Sequence, residues 1–364
     1  MKSLRQHLYL ATALLLLALA PVSAAEQETA PDLKGHAAKL VRVENPDVLP
    51  SVKRVVITSF MADFVSELRY SKSLSGLEAM IGADSDVSIR LVGSSNEQFQ
   101  AMTEAFYEQT VAQLRARGVE VVEQGELAAL PEFAELAASG VKPLPSEQDA
   151  KAGKGLFFTA QGLPLHLIDE TQFMPSFSFG RKKQDDFLTF GTRFSGSFAA
   201  AQTQQIESRI ATSLGATILK VRLTVLGGQL TPDSSFWSSG KVSTRAAASF
   251  VDTVTRYAFI TPDGNKARIS LQETIATDEI GELVNTTSDG SKATDTAKNV
   301  ALVALNVASL AARLGGLSTG YTGGFSATSE YECRVRPELF EKTVLSHYER
   351  IAGLFGDRLQ TPGQ

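Results

Sequence analysis

ATILKVRLTVL, residues 216–226, reads as a β-strand with little competition from any other element. Leu219, Val221, Leu223 and Val225 fall on one side of it. Lys220, Arg222 and Thr224 fall on the other, which is the two-residue period that a pleated strand imposes. Residues 202–214 have helical spacing and end at Gly215, so a helix that stops at a glycine feeds this strand. Downstream, TVTRYAFI (253–260) and KARISLQETIA (266–276) read as a hairpin. Their joint, Thr261-Pro262-Asp263-Gly264-Asn265, puts proline and glycine where a turn accepts them.

Upstream, VKRVVITSFMADF (52–64) is apolar nearly throughout, as suits a strand covered on both faces. Ser94 and Ser95 stand three residues before Glu97 and Gln98, a capping-box start. Phe99, Met102, Phe106, Val111 and Leu114 then mark one side of a helix that stops at Gly118. VEVVE (119–123) is the next strand, so strand, helix and strand suggest a βαβ-like unit. Residues 127–139 look helical despite a proline, and KPLPSEQDAKAGKG (142–155) reads as a loop. Thr294 to Arg313 reads as an Ala- and Val-rich helix too short in its apolar part to span a bilayer. A glycine loop follows at 315–324. FSATSEYECRV (325–335) alternates as a strand with Cys333 on its apolar side, and Pro337 opens an amphipathic helix through about Leu359.

The expected fold is α+β: a mixed β-sheet with helices packed on it, one domain over 51–362, with a Phe-rich β-hairpin inserted at about 171–198. Before it, residues 1–24 read as a signal peptide. Lys2 and Arg5 form the positive start, residues 8–20 the apolar run, and Ser23-Ala24 lie at a small-residue cleavage site. Residues 25–50, polar and proline-punctuated, read as a flexible lead-in. The chain is expected to be exported, to the periplasm if the host is Gram-negative and otherwise to the medium. With Cys333 as the one cysteine, no intramolecular disulfide can form, and the fold must rest on a hydrophobic core. The formal charge is −5, and cleavage would remove two bases and no acid, which gives no electrostatic reason to bind nucleic acid.

HExxH, a phosphate-cradling GxxxxGK[ST] and paired cysteines are absent, and GxSxG occurs once, as Gly316-Leu317-Ser318-Thr319-Gly320 in the glycine loop rather than between a strand and a helix. His36, His166 and His347 show no helical i, i+4 pairing, and Asp84-Ser85-Asp86 lacks the rest of a calcium loop. The sequence therefore assigns no catalytic, cofactor or metal residue. His166 with Asp169 and Glu170 is the one local cluster a hydrolase could use, and an ordinary packed histidine fits it better. Asn285-Thr286-Thr287 is a glycosylation sequon, relevant in a eukaryotic host. Trp237 could present an aromatic face to sugar, although a lone Trp beside a turn is more often half-buried.

Three pieces of the sequence resemble the periplasmic domain shared by the curli secretion pore family and the amino-terminal domain of the TolB translocation protein. VKRVVITSF precedes a helix ending in RARGVEVVE; SLGATILKVRLTV is similar to those families' helix-end, Gly-Ala, strand element; and TRYAFITPDGNKARIS is similar to their long hairpin. The resemblance implies an α+β envelope domain. This chain lacks the cysteine that anchors the curli pore proteins at their mature start, and its strand opens Thr-Ile-Leu without an acidic residue.

FMPSFSFGRKKQDDFLTFGTRF (173–194) is the segment most marked for interaction. Seven phenylalanines fall between 173 and 198. Read as strands, Phe173, Phe177 and Phe179 share a face of the first arm, and Phe190, Phe194 and Phe198 share a face of the second. Three roles fit the pattern: an aromatic face packed on the core or a neighbouring subunit, a membrane hairpin contributed to an oligomeric barrel, or a mobile loop. The expected function is an exported, non-enzymatic cell-envelope protein that forms homo-oligomers or binds an envelope partner through these six residues. A secretion or pore-related subunit is its sharper form, with peripheral or hairpin contact to a membrane and no transmembrane helix in the mature chain. The rival class is an exported hydrolase with catalytic residues dispersed in sequence.

Overall fold

The computed structural model describes residues 39–72, 85–150, 153–160, 162–167, 195–229, 245–252, 254–287 and 329–361. The strands are β1 (Val41–Glu44), β2 (Arg54–Lys72), β3 (Ser85–Val92), β4 (Glu120–Val121), β5 (Ser146–Ala150), β6 (Gly153–Thr159), β7 (Thr217–Gln229), β8 (Arg245–Phe250), β9 (Arg256–Ile260), β10 (Lys266–Leu271), β11 (Ile275–Asn285) and β12 (Ser329–Val335). The helices are α1 (Asn96–Ala116), α2 (Gln124–Ala128), α3 (Pro131–Ala138), α4 (Ser195–Leu214) and α5 (Pro337–Gln360). All the described strands join one mixed sheet, and the fold is α+β.

β2 organises this sheet. On one edge its first half, Val55 to Val65, runs parallel to β7, and its second half, Glu67 to Lys72, runs antiparallel to β3. The other edge takes β4 and then β6. Because β7 also pairs with β8, β8 with β11, β11 with β12 and β12 with β3, the pairings close a six-strand ring. The directions are consistent around it, so the ends of β2, β7 and β11 and the starts of β3, β8 and β12 lie at the same end of the ring. At the seam where β3 and β7 part from β2, Gly227 makes room for Leu91. A Cβ there would lie 2.5 Å from Leu91 Cδ1.

One face of the sheet packs on α1 and α5 because its alternate residues are large and apolar. Phe64 of β2 stacks on Phe99 of α1 at 4.4 Å between centroids and meets Phe158 of β6 edge-on. Phe106 continues the cluster to Phe250 and Tyr348, and Phe340 closes it against Phe99. Each such pair adds about 0.5–1.5 kcal/mol to the gain from burial alone. Within this layer Thr110 of α1, Tyr257 of β9 and Tyr348 of α5 form a closed triangle of buried hydroxyls. Thr110 lies 3.0 Å from Tyr257 and Tyr257 lies 2.8 Å from Tyr348. Burial pushes the Tyr257 phenol up to about 12, so all three groups stay neutral donors and acceptors. Arg117 then straps the end of α1 to α5 through the Gly353 carbonyl and Asp357, lying where any side chain at Gly356 would have to be.

Several expectations hold in detail. Ser95 caps α1, accepting from Gln98 N–H at 3.3 Å. The parallel pairing expected of a βαβ-like unit is present, with Arg54 and Val55 against Glu120 and Val121, although β3 stands between β2 and α1 in the chain. Gly215 ends α4 at φ +56°, a left-handed value that favours glycine. β9 and β10 pair across the 261–265 turn.

Others change. The lead-in assigned to 25–50 includes β1, whose Val41 and Val43 extend the edge of β10, and a 3-10 turn, Pro46–Ser51, anchored by buried Leu49. KPLPSEQDAKAGKG is not a loop throughout: Ser146–Ala150 and Gly153–Thr159 pair as β5 and β6, with polar β5 at the sheet edge and β6 between it and β2. KARISLQETIA divides into β10 and the start of β11, which turns away to pair with β8. The arm of the expected Phe hairpin that ends at Phe198 is helical from Ser195 onward. The Ala199-Ala200-Ala201 run favours extending α4 backward over continuing a strand. Residues 171–194, the 294–313 helix and Trp237 lie outside the described residues.

Cys333 faces inward from β12 and is fully buried, with its thiol pushed up to about 12 by desolvation. Little thiolate is available and no reagent can reach it. In native buffer a thiol-directed disulfide reagent should therefore react orders of magnitude more slowly with Cys333 than in denaturant, followed by absorbance of the released thiol.

Candidate functional site

The face of the sheet opposite α1 and α5 is where chemistry gathers. The period of β7 puts Lys220, Arg222 and Thr224 on that face, and the parallel register sets Met61 beside Arg222 and Asp63 beside Thr224. On β6 the partners of Met61 and Asp63 are Thr159 and Phe157. On β9 Arg256 stands opposite Arg222. Lys220, Arg222, Thr224, Asp63, Thr159 and Arg256 are all buried, although their polarity would suit an exposed face.

α4 covers part of this face and brings its own charge. Glu207 accepts a hydrogen bond of 2.9 Å from Thr58 Oγ1. Its other oxygen lies 2.8 Å from Lys220 Nζ, an ion contact off the ideal hydrogen-bond line. Thr58 reaches Glu207 because β2 bulges between Ile57 and Ser59, which re-aims a side chain as bulges do. Farther along, Met61, Phe157 and Leu165 form a small apolar cluster, with Val141 and Leu167 at its margin.

Asp63 lies one step beyond Met61 on the same face, level with Phe157 and Thr224. It is completely buried, and among the described residues neither carboxylate oxygen has a hydrogen-bond partner. Gly155 presses on it so closely that a Cβ there would lie 2.6 Å from Oδ1. Burial pushes the carboxyl up to about 7, against the opposing pull of the Arg222 guanidinium. Thr224 Oγ1 and Thr159 Oγ1, on the same face, are likewise buried without a partner. Asp63 is one acid within an apolar strand, and that isolation is its only signal in the sequence.

The residues singled out from sequence are not brought together here. Phe173, Phe177, Phe179, Phe190 and Phe194 lie outside the described residues, as do Asp169 and Glu170, and Phe198 falls in the first turn of α4. His166 has Ser139 Oγ at 3.1 Å from Nε2. The same hydroxyl lies 2.8 Å from the Leu136 carbonyl, which can only accept. Its single hydrogen goes to that carbonyl, and His166 donates to the oxygen, the reverse of what activating a serine nucleophile requires. His347 similarly donates from Nδ1 to the Thr343 carbonyl at 3.0 Å. Among the described residues, no helix is long and apolar enough to cross a membrane.

The Glu207–Lys220 contact gives a direct test of the polar face. Glu207→Gln or Lys220→Met alone leaves a buried charge without its counter-ion and should cost about 3–5 kcal/mol in urea unfolding. The double variant Glu207→Leu, Lys220→Met should recover most of that loss, since no charge is left stranded.

No protein-family model, curated protein or solved structure matches this chain.

Proposed function

We propose that the protein is an exported, non-enzymatic component of the cell envelope that self-associates or binds an envelope partner through its Phe-rich segment, residues 171–198. The observation that carries this reading is the self-sufficiency of the aromatic core. Phe64, Phe99, Phe106, Phe158, Phe250 and Phe340 already form one continuous cluster. A further concentration of aromatics in one polar-tipped segment then calls for a use elsewhere, and large apolar patches on proteins mark contact surfaces. The amino-terminal signal-like sequence supports export. The resemblance to the curli-pore and TolB periplasmic domain supports an envelope role, with a secretion or pore-related subunit as its sharper form. A six-strand ring is too narrow to be a channel once side chains fill it, and Tyr331, Cys333, Phe250 and Ile280 of its strands are buried. Any pore would therefore be assembled between subunits.

Replacing Phe190 and Phe194 together with Ser tests the reading. The thermal midpoint should stay nearly unchanged while oligomerisation, measured by light scattering, or liposome binding falls. Unfolding without loss of association would place the two rings in the core, where each would cost about 3–5 kcal/mol, and would defeat the proposal.

The second reading, an exported hydrolase, rests on the proximity of Ser139 to His166. A serine-directed fluorophosphonate probe should leave the native protein unlabelled. Labelling that Ser139→Ala abolishes would establish the hydrolase instead.

A further inference from the structure

The buried polar atoms on the β6–β2–β7 face have a use beyond holding the fold. Among the described residues, four oxygens there lack hydrogen-bond partners: both carboxylate oxygens of Asp63, Thr159 Oγ1 and Thr224 Oγ1. They lie on three adjacent strands within one step of register. Native interiors leave few such atoms unsatisfied, and an ionised carboxylate without donors is the costliest of them. Among the described residues, the charged groups around Asp63 are few. Arg222 on β7 is the cation whose field acts on it, and Arg256 on β9 stands beside Arg222. Lys220 is engaged with Glu207 of α4. On β6 the facing residues, Gly155, Phe157 and Thr159, carry no charge, and His166, next to Leu165 of the neighbouring apolar cluster, is engaged with Ser139.

We propose that Asp63 is a pH-sensing group, carried as a neutral acid in the closed fold, whose ionisation loosens the cover that α4 and residues 163–167 form on this face. Gly155 leaves no room beside Oδ1 for a new donor. Among the described residues, the donors an ionised Asp63 can recruit are Arg222, the Thr224 and Thr159 hydroxyls and entering water, and bringing in Arg222 or water requires the cover to shift. The cover is held beside Asp63 by Leu165 on Met61 and on Phe157, the cross-strand partner of Asp63, and farther down β2 by Glu207 on Thr58 and Lys220, so strain at Asp63 acts first on the Leu165 attachment.

The direction of the pH effect follows from linkage. The folded-state value, about 7, lies above the ordinary carboxylate value of 3.8. Between these two values the folded chain binds the extra proton, so stability from this group is fully present below about 3.8, falls as pH rises toward 7 and levels off above it. Between about pH 5 and about pH 8.5, the unfolding equilibrium constant of the wild type should rise on the order of a hundredfold relative to Asp63→Asn. Amide exchange in β2, β6 and α4 should speed up over the same range in the wild type alone. The infrared spectrum at about pH 5 should contain a buried carboxylic-acid carbonyl band that disappears at about pH 8.5 and is missing from the variant. Should Asp63→Asn fail to fold, Asp63→Val serves for the same comparison, and the infrared titration needs only the wild-type protein. Parallel pH profiles for wild type and variant, or the absence of that band at low pH, would overturn the proposal.

Discussion

The parallel ladder between β2 and β7 is the constraint on which the other contacts depend. Ten residues of β2, from Val55 to Val65, are registered against β7. With β7 held there, β8 and β9 are placed along its far edge, and the chain can return through β11, β12 and β3 to the second half of β2. Parallel strands cannot be joined by a tight turn. The ladder therefore brings together segments more than a hundred residues apart, and the entropy of closing that loop must be met by burial. The phenylalanines of β2 supply much of it. Phe60, Phe64 and their partners on α1 lie on the face where α5 closes over them.

The sheet edges are handled differently. β1 and β5 end the described sheet path, and both are short and charged. Arg69 of β2 is tied to Glu67 and to Asp149 of β5, and Lys154 lies near Glu147 and Asp149. Short edges carrying charge discourage another chain from adding a strand. Growth of the sheet by strand addition at either described end is therefore disfavoured.

How much of this could be read beforehand depends on what kind of signal each element carries. α1, α4, α5, β7 and the β9–β10 hairpin were legible because their periodicity agrees with a glycine, proline or serine at the boundary. β5, β6 and β8 were not. SEQDA is polar, GKGLFFT is half glycine and lysine, and RAAASF carries small residues where the ring is tight. Such strands are specified by their neighbours rather than by propensity. The same limit hid the polar face. Lys220, Arg222 and Thr224 alternate as if one side of β7 were wet, and only the tertiary placement of α4 reveals Glu207 waiting for Lys220. Asp63 was harder still, since nothing local separates a buried acid from a tolerated surface one.

That polar face also explains how the ladder chooses its register. Side chains alternate along a strand, so a slip of one residue between β2 and β7 would exchange the faces of one strand relative to the other. Apolar residues alone would resist it weakly, because Leu219, Val221, Leu223 and Val225 on one side and Ile218 and Leu226 on the other are all buried. Lys220 and Arg222 make the slip prohibitive. It would drive two cations into the layer of Phe60, Phe64 and Phe106 and strand Glu207 and Thr58 without partners. The buried charges add little net stability by themselves, since their desolvation offsets most of the attraction. Their effect is to raise the energy of the misregistered alternatives, and that difference is what fixes the ring.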